Sequence, residues 1–472
     1  MIIRNGNLAL PGADRPVKAD LRIVDGVITA IGRDLGAAAG GAAAAGAAGR
    51  PDAAGGRGAA EEVIDAEGLL VLPGGIDPHV HFDEPGYTDR EDFYHGSSAA
   101  ASGGITTVID MPCTSIPPVT NLANLKEKDG VVGTRAVIDY GFYGGVSGTT
   151  FGEEPGYAAA MAELAPEVLG FKCYLNASME SFPRVSHWQL LRVLEAARDV
   201  GRPVLLHAED ADFIRHATEA ARMAGDSPYH YYLSRPEIAE VLAVRTAVSL
   251  AELARARLHI VHVAAGEAAR IVGESEYVTG ETAPHYLAFD VDDFERIGSA
   301  MKVAPSVKTA VTREALRRAI EDGTLSFVAS DHAPAPSEQK HTGSVWTDYS
   351  GIPGSGTLLP YMFSEGYSKG RISLSRLVEV TSRNAARRYG LDDRKGALAP
   401  GQDGDVVLMD PDDTWTVRGA DFLSKGKITP FEGMTFQGRV VKTIVRGSVV
   451  YDAERGITVK PGYGRRLRAG GT

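Results

Sequence analysis

LLVLPGGIDPHVH, residues 69–81, passes from an apolar strand-like run into two histidines spaced i, i+2. Side chains alternate across a strand, so His79 and His81 share one face and can point at one ion. Seven further apolar runs follow: ITTVIDMP (105–112), RAVIDYGFYGG (135–145), GFKCYL (170–175), PVLLHAED (203–210), RLHIVHV (257–263), YVTGETAPHY (277–286) and LSFVASDHAP (325–334). Helix-like spans such as WQLLRVLEAARDV and REALRRAIED lie between most of them. Strand–helix alternation predicts parallel strands joined by right-handed crossovers. Eight such units close a (β/α)8 TIM barrel, whose active sites gather at the C-terminal ends of the strands. A doubly wound open sheet is the alternative, but no GxGxxG follows the first strand to mark a dinucleotide site.

Outside the alternating section both chain ends are strand-rich. MIIRNGNLAL and LRIVDGVITAIG open the chain; GDVVLMDP, TWTV and GRVVKTIVRGSVVYD close it, the last reading as a hairpin with Arg446 and Gly447 at its turn. The expected fold is therefore α/β: a barrel over 67–392 and a small discontinuous β-sandwich domain from 1–66 and 393–472. Residues 36–60 are almost wholly Gly and Ala, and the interleaved glycines each cost a helix about 1 kcal/mol. This stretch reads as a flexible surface insertion without a functional role, whose deletion should leave the fold intact.

The 472 residues are 44% apolar and 23% charged, ordinary globular proportions that exclude wholesale disorder. A net charge of −12 argues against a dedicated nucleic-acid partner, which needs a basic face to displace counterions. Two cysteines, Cys113 and Cys173, make neither a disulfide framework nor a thiolate zinc site. The opening residues carry no apolar signal-like region and no run of about 18 apolar residues occurs, so the expectation is a cytoplasmic protein with no membrane partner.

Ionisable residues collect at the strand ends. His79 and His81 end the first run, Lys172 lies in the fourth, His207 and His262 end the fifth and sixth, and Asp331 ends the eighth. Each alone has an ordinary explanation. A histidine in HIVHV is commonly a hydrogen-bonded core residue, a buried lysine is commonly paired, and Asp331 can cap a turn. Those explanations would have to hold independently at five strand ends. Imidazole and carboxylate converging there suit a pair of zinc-like divalent ions. Cys173, next to Lys172, should face the opposite side of its strand and sit in the core.

PGGIDPHVHFDEPG, GFKCYL, LLHAED, HIVHV, ETAPHY and SDHAP, in that order, resemble the cyclic amidohydrolases, the dihydroorotase, allantoinase, hydantoinase and dihydropyrimidinase group of the amidohydrolase superfamily. The resemblance extends through SRNAARRYGL and KGALAPGQDGDVVLMDP to TPFEGMTFQGRVV. It implies a binuclear centre: His79, His81 and Asp331 on one metal, His207 and His262 on the other, and Lys172 carbamylated by CO2 to bridge them. An unmodified lysine would repel two cations, whereas a carbamate is an anionic ligand. Zinc is the metal implied, although cobalt, manganese or iron suits the same donors. The implied reaction is hydrolysis of a ring amide by a metal-bridging hydroxide, with Asp331 as catalytic proton carrier to the leaving nitrogen. Relatives that have lost the ligands serve as scaffolds; here all six positions are present.

The substrate is a small cyclic amide or ureide. Dihydroorotases typically show HxHxREPG and MPNT, where this chain has Asp83 and Cys113 in HFDEPG and MPCT. An acid repels a substrate carboxylate and a thiol is a poor anion donor, although Lys308 or Arg90 can supply charge. EPG at 84–86, FKCY and SRPEIAEVLAV lie closer to allantoinase-like members, and Asp83 can accept from a ureido N–H. Trp-Glu, frequent in allantoinases, is replaced by Arg90-Glu91. Allantoinase-like ring opening is the expectation; dihydroorotase and hydantoinase or dihydropyrimidinase are the alternatives. His285 and the GIPGSG loop, including Gly351, Ile352 and Pro353, are further candidate substrate contacts. The family commonly forms homotetramers or homodimers.

Overall fold

The computed structural model describes residues 1–35, 61–153, 155–177 and 179–470. The 36–60 insertion lies outside them. Eight short strands run parallel: Gly75–Val80, Ile105–Asp110, Asp139–Phe142, Phe171–Tyr174, Val204–His207, Leu258–Ile260, Val278–Thr282 and Phe327–Val328. Their neighbours follow chain order, as crossover connections demand. The third run pairs onward through Gly144–Gly145 to Phe171–Tyr174. The first and eighth meet at a parallel bridge between Val80 and His332, where His81 N donates to His332 O at 2.8 Å. The ring is thus a barrel, and the open-sheet alternative falls away.

The expected helices form for local reasons. His187–Asp199 starts at a capping box between Ser186 and Gln189 and buries Leu190, Val193, Leu194 and Ala197 at helical spacing. Each of the leucine and valine side chains contributes about 1.5–3 kcal/mol on burial. Ala310–Asp322 is capped by Thr309 and ends at Gly323, whose φ of 93° stops the helix. Among the described residues no helix is long and apolar enough to cross a membrane.

The first run, 69–81, is not one strand. Leu70–Pro73 pairs with Ile2–Leu8 and Val406–Thr416 in a nine-stranded sheet built from both chain ends, and the barrel strand begins at Gly75. Apolar residues buried on both faces read alike in either sheet. The handover is at Gly74, where a Cβ would lie 2.1 Å from Thr106 Oγ1. Val27–Gly32 and Thr435–Val445 belong to the same sheet, and Ile3, Leu21, Ile28, Val406 and Ile444 share its separate core. Its closing hairpin turns at Arg446 and Gly447, both at positive φ, as a tight two-residue turn requires.

A buried charge cluster joins this sheet to the barrel. Lys395 Nζ lies 2.7 Å from Asp139 Oδ2, 2.6 Å from Asp405 Oδ2 and 3.0 Å from Asp403 Oδ2, while Arg446 pairs with Asp139. Asp139 opens the third barrel strand, so the cluster fixes the barrel on its partner layer without approaching the strand ends that carry the site.

Candidate functional site

The barrel brings all six predicted ligands together. His79 lies within its strand, Lys172 second in Phe171–Tyr174 and His207 last in Val204–His207. His81, His262 and Asp331 follow just beyond their strands, the last two at φ of 40° and 50°. Asp331 Oδ1 lies 3.2 Å from His79 Nε2 and 3.4 Å from His81 Nε2. His207 Nδ1 and His262 Nε2 face each other at 3.1 Å. The His79 ring stands 5.4 Å from those of His81 and His262, so the two halves form one cluster.

Its electrostatics suit cations at three of the four imidazoles; at His81 burial is outweighed by contacts with Asp331 and Cys113, which raise it to about 10. Burial pushes His79, His207 and His262 below the usual imidazole range, leaving neutral lone pairs. Burial opposes ionisation of Asp331, but His79, a hydrogen bond from His81 and His262 outweigh it and hold the carboxyl well below its ordinary range. Burial also pushes the Lys172 ammonium down to about 8, which favours the free amine that CO2 requires. Among the described residues, His79 Nε2, His262 Nδ1 and Lys172 Nζ are buried without a hydrogen-bond partner. Orphaned nitrogen donors beside an ionised carboxylate fit divalent ions of zinc-like preference.

The cluster floors a cavity of about 850 Å3, lined by His81, His207, His262 and Asp331. The cations around it are engaged, Arg222 over the Trp346 ring at 5.0 Å among them. Arg90 sits between the rings of Tyr87 and Tyr349, 4.9 and 4.6 Å from their centroids, and Arg235 pairs with Glu209. Lys302 lies 4.8 Å over Tyr231 and donates to Asp348 O. Lys308 is buried and donates to Arg235 O at 2.5 Å.

The predicted substrate contacts divide. Gly351 lines the cavity, and its N donates to Lys302 O at 2.9 Å. Cys113 lies behind the lining, its Sγ 3.0 Å from Tyr174 OH and 3.9 Å from His81 Nδ1. Asp83 is wholly buried, both carboxylate oxygens are without a hydrogen-bond partner among the described residues, and burial pushes it up to about 8. His285 is buried, and burial lowers it to about 4. Ile352 pairs with His332 in the closing ladder, with Pro353 buried beside it. Cys173 packs into the core, on the face opposite Lys172.

Other residues at the site carry weaker sequence signals. Glu209 Oε2 accepts from His207 Nε2 at 2.9 Å, and Glu281 Oε1 from His79 Nδ1 at 2.5 Å. Both acids sit inside the HAED and GETAPHY segments, two residues past a strand histidine and near a strand end respectively. Spacing within one strand could have flagged Glu209; the pairing of Glu281 with His79 depends on barrel closure. Tyr174 stacks on His207 at 5.3 Å, and its i, i+2 spacing from Lys172 was its only signal.

The amidohydrolase family profile matches residues 70–450. The chain is 37% identical over 465 residues to an allantoinase of Rubrobacter xylanophilus, covering 96% of this chain and 95% of that protein. It is 33% identical over 471 residues to an allantoinase of Escherichia coli, covering 98% and 97%. Among solved structures, L-hydantoinase (dihydropyrimidinase) from Arthrobacter aurescens superposes with a TM-score of 0.89 at 33% identity, covering 99% of both chains. Dihydropyrimidinase from Brevibacillus agri gives 0.87 at 30% identity, covering 99% of this chain and 98% of its own. Fold, strand-end cluster and full-length similarity agree: the chain belongs to the amidohydrolase family.

Proposed function

We propose that the protein is a cyclic-amide hydrolase that opens the hydantoin ring of allantoin or a close neutral ureide. The observation that carries this reading is the convergence of His79, His81, Lys172, His207, His262 and Asp331 beneath one cavity. His79, His81 and Asp331 would hold one divalent ion, His207 and His262 a second, with Lys172 as its carbamate shared between them; zinc is the metal proposed. When bound, such ions lower the pKa of water and polarise a carbonyl.

The residues of this chain do the rest. Asp331, ionised and facing the cavity, accepts a proton at its carboxylate from the attacking water. It returns that proton to the leaving ring nitrogen. Water is thereby divided across the C–N bond, its hydroxyl on carbon and its proton on nitrogen, giving a ureide and a carboxylic acid that loses its proton to solvent. Tyr174, Thr114 and Gly351 form wall around the ring. Engagement of Arg90, Arg235 and Lys302 with aromatic faces, an acid and a carbonyl supports a neutral substrate over a carboxylate. Asp83, Cys113, His285, Ile352 and Pro353 shape that wall from behind.

Ring opening of hydantoin or dihydrouracil is the second reading, favoured by the likeness to hydantoinase structures. A panel of allantoin, hydantoin, dihydrouracil and dihydroorotate, offered to protein reconstituted with zinc and bicarbonate, separates the possibilities. Allantoin should be cleaved with the highest kcat/KM. Preference for dihydroorotate would overturn the argument from engaged cations. A homo-oligomer of two or four copies acting in the cytoplasm completes the proposal.

A further inference from the structure

We infer that Glu281 is a positioning residue for the metal-facing nitrogen of His79, acting through a buried relay anchored at Thr279. The inference rests on the metal reading above. Glu281 stands on Val278–Thr282, between histidines of two other strands. Its Oε1 lies 2.5 Å from His79 Nδ1 and its Oε2 3.2 Å from His259 Nε2. His259 Nδ1 lies in turn 2.7 Å from Thr279 Oγ1. The His259 ring stacks on Phe327, 4.8 Å away and 14° from parallel. His79, His259 and Glu281 are essentially inaccessible to solvent.

The relay takes the tautomers in which every donor along these contacts meets an acceptor. Thr279 donates its hydroxyl proton to His259 Nδ1, which leaves the imidazole proton on Nε2 for Glu281. The other oxygen of Glu281 then holds the proton of His79 on Nδ1. The His79 lone pair is thereby left on Nε2, the atom 3.2 Å from Asp331 Oδ1 that has no hydrogen-bond partner among the described residues. A carboxylate behind a ligating imidazole fixes its tautomer and raises its basicity. Glu209 does the same for His207 from the other nitrogen, so that His207 turns Nδ1 inward. Glu209, however, is shared with Arg235 at the cavity wall, whereas Glu281 answers only to the barrel interior. HIVHV therefore carries two histidines with different tasks: His262 as a donor in the cluster and His259 as a prop.

The test compares full-length wild type, Glu281→Gln and Glu209→Gln after reconstitution with Co2+ and bicarbonate. Metal per chain, metal release to a chelator, the Co2+ visible spectrum and melting of the metal-free protein are measured. Wild type should hold about two ions per chain. Glu281→Gln should bind one of them about 10–100-fold more weakly and change the Co2+ spectrum, while the metal-free protein melts as wild type does. Glu209→Gln should give a different altered spectrum, because it disturbs the other half. Wild type without metal would defeat the metal reading itself. Two ions in wild type, with Glu281→Gln releasing both at the wild-type rate, would overturn the relay alone. If Glu281→Gln fails to fold, Thr279→Val carries the test: faster release of one ion supports the relay, and unchanged release overturns it.

Discussion

Asp331 Oδ1 lies 3.2 Å from His79 Nε2, so the acid that ends the eighth strand meets the histidine of the first across the seam of the barrel. Asp331 is both an expected ligand and the expected proton carrier. Replacing it with Asn keeps the size and one oxygen donor but removes the base. Asp331→Asn should lower kcat by at least ~10²-fold while retaining the fold and most of the metal. Steady-state kinetics with metal analysis on the same sample checks this; near-normal turnover would remove Asp331 from the chemistry.

Gly351 occupies a place no side chain fits. Its φ is 150°, and a Cβ there would lie 2.2 Å from Ala333 O. Gly351→Ala must displace the segment that lines the cavity and pairs at Ile352 with His332. A shift of about 1 Å in such a wall can cost ~10²-fold in rate. We expect a fall in kcat/KM of that order with metal content preserved, measured on allantoin.

Lys395 bridges three buried carboxylates at the joint between barrel and sheet. Lys395→Met leaves Asp139 with Arg446 and Asp403 with Arg394, and takes from Asp405 its cation partner. Stranding a buried charge costs about 3–5 kcal/mol. Urea unfolding should show a loss of that size, and a loss below about 1 kcal/mol would contradict it.

Burial, opposed by Lys308 and by a hydrogen bond from Ala264 N, pushes Glu240 up to about 7. Its folded value lies above the ordinary 4.5, so between those values the folded state holds a proton that the unfolded state releases. The contribution is complete below about pH 4.5 and is lost as pH rises through about 7. Glu240→Gln keeps an acceptor for Ala264 and cannot ionise. Its Tm relative to wild type should rise between pH 5 and pH 8, by roughly 2 °C or more; a pH-independent difference would contradict the account.

The barrel was legible because strand–helix alternation recurs eight times and a closed ring is what such units form. The ligand set was legible because its members sit at strand ends, where i, i+2 spacing and C-terminal position are readable without coordinates. The split at Gly74 was not, because Leu70–Pro73 is buried on both faces and apolar residues do not say which sheet they enter. Nor was the burial of Asp83. A loop acid after HxH reads as solvated or substrate-facing, and only the packed fold places it behind the wall. Glu281 escaped for a related reason: its partners His79 and His259 come from strands 202 and 22 residues away.

The central claim is that two divalent ions held by this cluster arm water for ring-amide hydrolysis. The most direct measurement is the rate of allantoin ring opening by the same preparation before chelation, after metal removal, and after zinc and bicarbonate are restored. Turnover that disappears with the metal and returns with it is the predicted result. Ring opening that persists in metal-free protein, or that never appears in fully loaded protein, would contradict the account.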